Sequence, residues 1–339
     1  MKEVDFHELV QSQASFISDH QLASGAIPWY RGGIVDPWDH VESAIALDLC
    51  HRFDEAARAY MWLQDIQNPD GSWWSGYLDG QPQDLTKDTN FSSYIALGAC
   101  YHYMVTGDLD FLRRIWPTVE KGIAFALRLQ QPTGEIYWAR DANDAVWKGA
   151  LMAASSCTWL SIKCGIEIAR ALGLDRPEWD MASRELAGAI REHPELFDKF
   201  GEDNQRFATT WYYPVLAGVL QGQRAKEHIL EQWADFVLED RGCKCVCGTP
   251  WVTVAETCEL ILALTNIGEE DRAKLLLDWT LKLRDPAGGF GSGIKLPDEL
   301  IWPVENNTWT SAAVIMAVSA LDNTEDASAN FRRLISGRF

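Results

Sequence analysis

The chain has 339 residues, 47% of them hydrophobic and 23% charged, with a formal net charge of -19. This balance supplies a large core and excludes intrinsic disorder. The acidic excess opposes direct contact with nucleic acid or an anionic membrane surface, both of which need clustered Lys and Arg.

Residues 1–20 carry no basic start, apolar run or small-residue cleavage site and predict an amphipathic helix, so no signal peptide is expected and the protein is assigned to the cytoplasm. No later apolar run reaches the roughly 18 to 20 residues of a membrane span. Helices of two kinds then alternate. One kind is apolar or small on all sides, beginning near Asp39, Thr89, Leu151, Thr209, Thr253 and Thr308; the other is amphipathic, over 53–67, 111–130, 179–191, 224–238, 269–283 and 327–334. The first kind reads as inner and the second as outer. The expected fold is therefore all-α, an (α/α)6 toroid of six inner and six outer helices forming one domain over 1–339. Asp36 before Pro37, and Gly107 followed by Asp108, mark helix boundaries. No period-two run is long enough to predict a sheet.

Of the eight cysteines, Cys50, Cys100, Cys157, Cys164 and Cys258 lie in apolar helical patterns and read as reduced core residues. Cys243, Cys245 and Cys247 alternate, which in an extended segment places them on one face, but the spacing differs from that of zinc-binding pairs, and no metal is assigned.

A shorter repeat occupies the loops that return from an outer helix to the next inner one: Gln, three residues, Gly, one residue, then an apolar residue. It occurs at Gln21, Gly25 and Ile27, at Gln67, Gly71 and Trp73, and at Gln130, Gly134 and Ile136, with a decayed copy at Arg284, Gly288 and Phe290. Glycine permits the turn and the Gln amide can bond backbone ends of neighbouring helices, so the repeat itself reads as structural. The copy at 67–73 matches the QW motif of squalene-hopene and oxidosqualene cyclases. The chain resembles the monodomain class II terpene and meroterpenoid cyclases. That resemblance implies protonation of a terminal alkene or epoxide of a hydrophobic prenyl substrate by an Asp at an inner-helix start, with no cofactor. The segment matching the acid motif contains Asp84, Asp88 and Thr89, with Leu85 and Lys87 where further carboxylates belong.

Asp88 is accordingly the candidate acid, with Asp84 contributing, Thr89 and Asn90 orienting it, and His40, Glu42 or Glu256 as terminal base. An Asp with an ordinary pKa near 3.9 stays protonated only in a dry pocket, and a helix N-terminus opposes this by favouring carboxylate. The 16 tryptophans are in excess. Trp38, Trp73, Trp74, Trp147, Trp211, Trp251, Trp302 and Trp309 cluster at inner-helix starts, with Tyr212, as an aromatic wall suited to a cation or to stacking on sugars, and Tyr213 is a further polar candidate there. Asp39, Asp141, Glu305 and Asn306 are further polar residues at such starts. The alternative reading is an (α/α)6 glycoside hydrolase, which needs two carboxyl groups across the pocket, with Asp88 facing Glu256 or Glu305. The number of carboxylates facing the cavity separates the two: one acid in an apolar wall for a cyclase, several for a glycosidase.

Overall fold

The computed structural model describes residues 5–199, 206–322 and 326–337. In chain order the helices are α1 (Phe6–His20), α2 (Pro37–Leu49), α3 (Phe53–Ile66), α4 (Thr89–Thr106) and α5 (Leu109–Leu127). There follow α6 (Met152–Ala171), α7 (Pro177–Glu192), α8 (Ala208–Leu216), α9 (Gly222–Glu231) and the short α10 (Trp233–Phe236). The last are α11 (Val254–Asn266), α12 (Glu270–Leu281), α13 (Thr308–Leu321) and α14 (Asp326–Ile335). Helix α2 packs on α4, α4 on α6, α6 on α8, α8 on α11, α11 on α13 and α13 on α2, which closes a ring. These six are the helices read as inner. Almost every residue of α13 between Thr308 and Ala320 is buried, because neighbours surround it on all sides.

The outer layer differs from expectation at one place. Helix α1 packs on α13 and α2 and takes the sixth outer position, whereas α14 lies against α2, α4, α11 and α13 together. It therefore spans one end of the ring instead of joining its outside. Its apolar face supplies Phe331 and Ile335 to the axial cavity, where they meet Leu97, Leu262 and Met316, and Tyr101 donates its hydroxyl to the Ala327 carbonyl at 3.0 Å. An amphipathic helix of ten residues has the same pattern whether its apolar stripe faces a wall or a floor, so sequence alone placed 327–334 wrongly.

The opposite end carries the long loops. Each inner helix is entered from this side, and the loops are stitched together by short antiparallel strands: 87–88 pairs with 139–140, which pairs with 146–147; 251–253 pairs with 293–295, which pairs with 300–301. Strands of two to four residues are too short to leave a period-two pattern, which is why none was expected.

The Gln-x3-Gly repeat is a brace. The Gln67 amide donates to Gly71 O at 3.0 Å within its loop and to Thr118 O at 3.0 Å on α5; Gln21 does the same toward Gly25 and Glu55, and Gln130 toward Gly134 and Ala182. Gly71 has φ +91°, and a Cβ there would come within 2.2 Å of the Lys121 carbonyl, so the loop approaches the neighbouring helix more closely than any side chain permits. Each brace ties one hairpin to the next. Gln67→Ala removes two bonds to otherwise buried carbonyls and is expected to lower stability by about 1–3 kcal/mol, read as a lower urea midpoint at unchanged slope.

Candidate active site

Helix α2 begins at the loop-bearing mouth of the ring, and its first two turns carry three acids at three-residue spacing: Asp36, Asp39 and Glu42. Asp36 is the N-cap. Its Oδ1 accepts from the Asp39 backbone N–H at 2.9 Å and its Oδ2 accepts from Trp29 Nε1 at 2.6 Å. Three-residue spacing then brings the Asp39 carboxyl onto the same face, within hydrogen-bonding contact of Asp36. Burial holds both acids above the usual carboxylate range, and for Asp39 the neighbouring charges of Asp36, Glu42 and Glu259 add to the rise. The bond between them favours a proton on Asp39 and charge on Asp36, whose indole and amide donors suit an anion.

One turn deeper, Glu42 is buried, and its Oε1 accepts from Trp38 Nε1 at 2.7 Å and Tyr94 Oη at 3.1 Å. Burial pushes it up to about 7. From α11 come Glu256 and Glu259. The two oxygens of Glu259 are taken by the hydroxyls of Tyr212 and Tyr213 on α8, and burial beside Glu42 raises its pKa well above the usual range. Glu256 sits at the third position of α11, as Asp39 does in α2, and is therefore at about the same depth below the mouth. Its Oε2 is buried without a hydrogen-bond donor, and the carboxyl lies beside the Cys245 thiol.

Above this cluster lies a cleft of about 530 Å³ lined by Asp36, Asp39, Asp84, Asp88, Trp29, Trp38, Phe91, Trp138 and Trp147, with Ser75 and Thr86. Asp88 is the N-cap of α4, accepting from the Asn90 amide at 3.1 Å, and burial pushes it up to about 7 against the pull of that bond. Asp84 is exposed at the end of a short strand, Gln81–Asp84, and Thr89 donates to the Trp138 carbonyl at 3.0 Å. Lys87 pairs with Asp70 at 3.0 Å and Asp144 at 2.7 Å while covering the Trp74 ring, which ties the loop of Gln67 to the hairpin that carries Trp147.

Other expected residues lie elsewhere. His40 is fully buried; its Nδ1 accepts from Ile27 N at 3.1 Å, so Nε2 carries the hydrogen given to Ala59 O at 2.9 Å, and burial lowers it to about 4. It pins α2 to α3. Trp73 donates to Leu63 O and has no exposure, and Trp211 stacks on Phe236 at 5.0 Å. Both pack the wall. Trp251 and Trp302 meet at 5.1 Å on the rim strands, with Lys295 over the Trp302 ring, and Trp309 is half-buried. Glu305 is exposed on the rim, and Asp141 accepts from the backbone amides of Asn143 and Ala145 to shape the 141–145 turn. Cys243 is buried and Cys245 and Cys247 half-buried. Among the described residues no group of three His, Cys, Asp or Glu side chains is arranged to hold a metal ion, and no helix is long and apolar enough to cross a membrane. A separate cavity of about 470 Å³ between α7, α8 and α9 contains none of the clustered acids.

No protein-family model matches the chain. Over 325 residues, 96% of this chain and 89% of the relative, it is 41% identical to the MMP endo-(1,4)-3-O-methyl-alpha-D-mannosidase of Mycolicibacterium hassiacum. The chain belongs to the family of that mannosidase. In fold it is similar to a GH63 mannosylglycerate hydrolase of Thermus thermophilus solved with glucose, at TM-score 0.73 and 14% identity over 91% of this chain and 99% of that one. A further glycosidase solved with glucose gives TM-score 0.70 at 16% identity over 93% and 96%. Both likenesses carry the (α/α)6 architecture.

The mannosidase relationship overturns the resemblance to class II cyclases, and with it the isomerase reaction, the terpenoid product and the hydrophobic prenyl substrate. The physical reasons are in the structure. The Gln-x3-Gly brace serves any ring of helical hairpins and so reports fold, not chemistry. The mouth, moreover, is walled by many carboxyl groups, not by one acid in an apolar chamber. Sequence reading missed the pairing of Asp36 with Asp39, the aromatic residues Trp29, Phe91 and Trp138, and Glu259; the available signal was a pair of acids three residues apart inside the apolar run of α11.

Because folding raises Glu42 from an ordinary 4.5 to about 7, the folded state binds this proton more tightly, and stability falls as pH climbs through that window. Glu42→Gln keeps a carbonyl for Trp38 and Tyr94 but cannot ionise. It is expected to gain on the order of 2 kcal/mol relative to wild type between pH 5 and pH 8, measured by urea unfolding at both.

Proposed function

We propose that this chain is a glycoside hydrolase that cleaves α-linked mannosides within a chain, with Asp39 as general acid and Glu256 as the base that takes a proton from water. The single observation that carries the reading is Asp39, held as an acid against Asp36 at the mouth of an aromatic cleft, with Glu259 of α11 among the charges that act on it and Glu256 acting in turn on Glu259. The kinship with a 3-O-methyl-α-D-mannosidase supports the substrate class.

In this scheme the Asp39 proton passes to the glycosidic oxygen as the bond to C1 breaks, and the leaving sugar departs as an alcohol. Water adds to C1 and its proton goes to Glu256, so atoms and charge balance. Asp36 is a positioning residue: its negative charge keeps the proton on Asp39 until the leaving oxygen needs it. Glu42 and Glu259, held by Trp38 and three tyrosines and pushed toward their neutral forms by burial, form the layer beneath and take no proton-transfer role in this scheme. Trp29, Trp38, Trp138 and Trp147 offer π faces to the apolar faces of pyranose rings.

Purified protein incubated with α-(1,4)-linked manno-oligosaccharides is expected to release shorter sugars. Asp39→Asn and Glu256→Gln should each lower kcat by about 10³-fold. Full activity in Asp39→Asn would overturn the assignment. Asp36→Asn has a separate signature: without the neighbouring charge the Asp39 pKa falls, so the alkaline limb of the kcat/KM profile moves to lower pH, whereas a merely structural role would lower the profile without shifting it.

A further inference from the structure

Beside the acidic cleft lies a second one of about 400 Å³, and the two share the indoles of Trp138 and Trp147, whose rings meet at 4.9 Å and 73°. Its remaining wall is Leu151, Ala153, Phe207, Thr209, Thr210 and Asp198. None of the acids assigned to bond cleavage reaches it. Its volume falls in the range of about 300–1,000 Å³ of clefts that hold small ligands, and its surface is mainly apolar with one carboxylate.

That carboxylate is built in with care. Asp198 is buried at 7% exposure, its backbone is in the left-handed region at φ 56°, and its Oδ1 accepts from the Met152 backbone N–H at 3.2 Å. It thus caps α6 from a distant loop, in place of Leu151, which has no capping side chain. Phe207, at the N-cap position of α8, is 42% exposed, and Trp147 is 41% exposed. Large aromatic rings facing solvent across a cleft from a fixed acceptor are the combination that suits a pyranose, whose C–H face is apolar and whose hydroxyls donate. A methyl ether removes one donor and adds apolar surface, which fits a wall holding several apolar side chains and a single acceptor.

We propose that the cleft between Trp147, Phe207, Leu151 and Asp198 is a second sugar subsite, outside the bond-cleaving centre, which binds an O-methylated pyranose of the same chain that lies across Asp39. The inference rests on the glycosidase reading and extends it. A chain running from the acidic cleft passes the shared indoles and enters the second cleft without leaving protein surface. Each methyl group buried there contributes about fourfold in affinity over the free hydroxyl.

The test uses three probes: a 3-O-methylated α-(1,4)-linked mannotetraose, the unmethylated tetraose, and the methylated disaccharide. Wild type is expected to prefer the methylated tetraose. Phe207→Ala should lower its kcat/KM on that probe about tenfold, through KM, relative to its value on the disaccharide, and Phe207→Tyr should restore the ratio. Asp198→Asn, which keeps an oxygen for the Met152 amide, should also lower the ratio without a loss of melting temperature. If wild type cleaves these sugars and the tetraose-to-disaccharide ratio is the same in Phe207→Ala, the subsite is wrong and the glycosidase reading stands. If wild type cleaves none, the glycosidase reading fails and calorimetric titration with the methylated tetraose decides the subsite: weaker binding by Phe207→Ala supports it, and equal or absent binding overturns it.

Discussion

Confining like charges at the mouth of a closed helical ring is the constraint around which this molecule is organised. Asp36, Asp39, Glu42, Asp88 and Glu259 enter the centre from the caps and first two turns of inner helices. Two opposing effects meet there. Each helix N-terminus attracts negative charge, while burial and mutual repulsion push protons back on. The outcome is uneven. Asp36, with an indole and an amide donating to it, keeps the charge, and Asp39 takes the proton; Glu259 is clasped by two phenols, while Glu256 has an oxygen without a protein donor. Chemically similar acids thus come to differ from one another because each has different donors.

The wall that enforces this confinement is held by repeated small devices instead of one large one. The Gln21, Gln67 and Gln130 amides each reach both their own loop and the following outer helix, and His40 joins α2 to α3 as a neutral bridge. Asp48 is a comparable pin nearer the floor: it is buried between the hydroxyl of Tyr60 at 3.0 Å and His102 at 2.7 Å, which joins α2, α3 and α4. Such bonds fix hairpin against hairpin, so the positions of the acids are set by the whole ring and not by their own loops.

The sequence made the ring legible because inner helices such as α4 and α13 are apolar on every side and outer helices such as α5 are not, a contrast that survives without any knowledge of contacts. It did not make α14 legible, since closure of the ring is a tertiary fact. The site was half visible. Asp88, Asp39, Glu42, Glu256, Trp38 and Trp147 stand out as candidates, but Asp36 has the look of a helix cap alone, and its pairing with Asp39 depends on the orientation of one helical turn. Glu259 lay in an apolar run where its partners, Tyr212 and Tyr213, come from a helix more than forty residues away. The repeat at Gln67 points to the wrong chemistry because a brace that the fold needs is shared by rings with unrelated reactions.

Helix α14 turns the ring into a cup. With Phe331 and Ile335 plugging the axis, nothing threads from one side of the ring to the other. Only the rim is open, so whatever reaches the acids must leave by the way it came. A blind vessel of this kind has a single doorway, and arrival and departure compete for it.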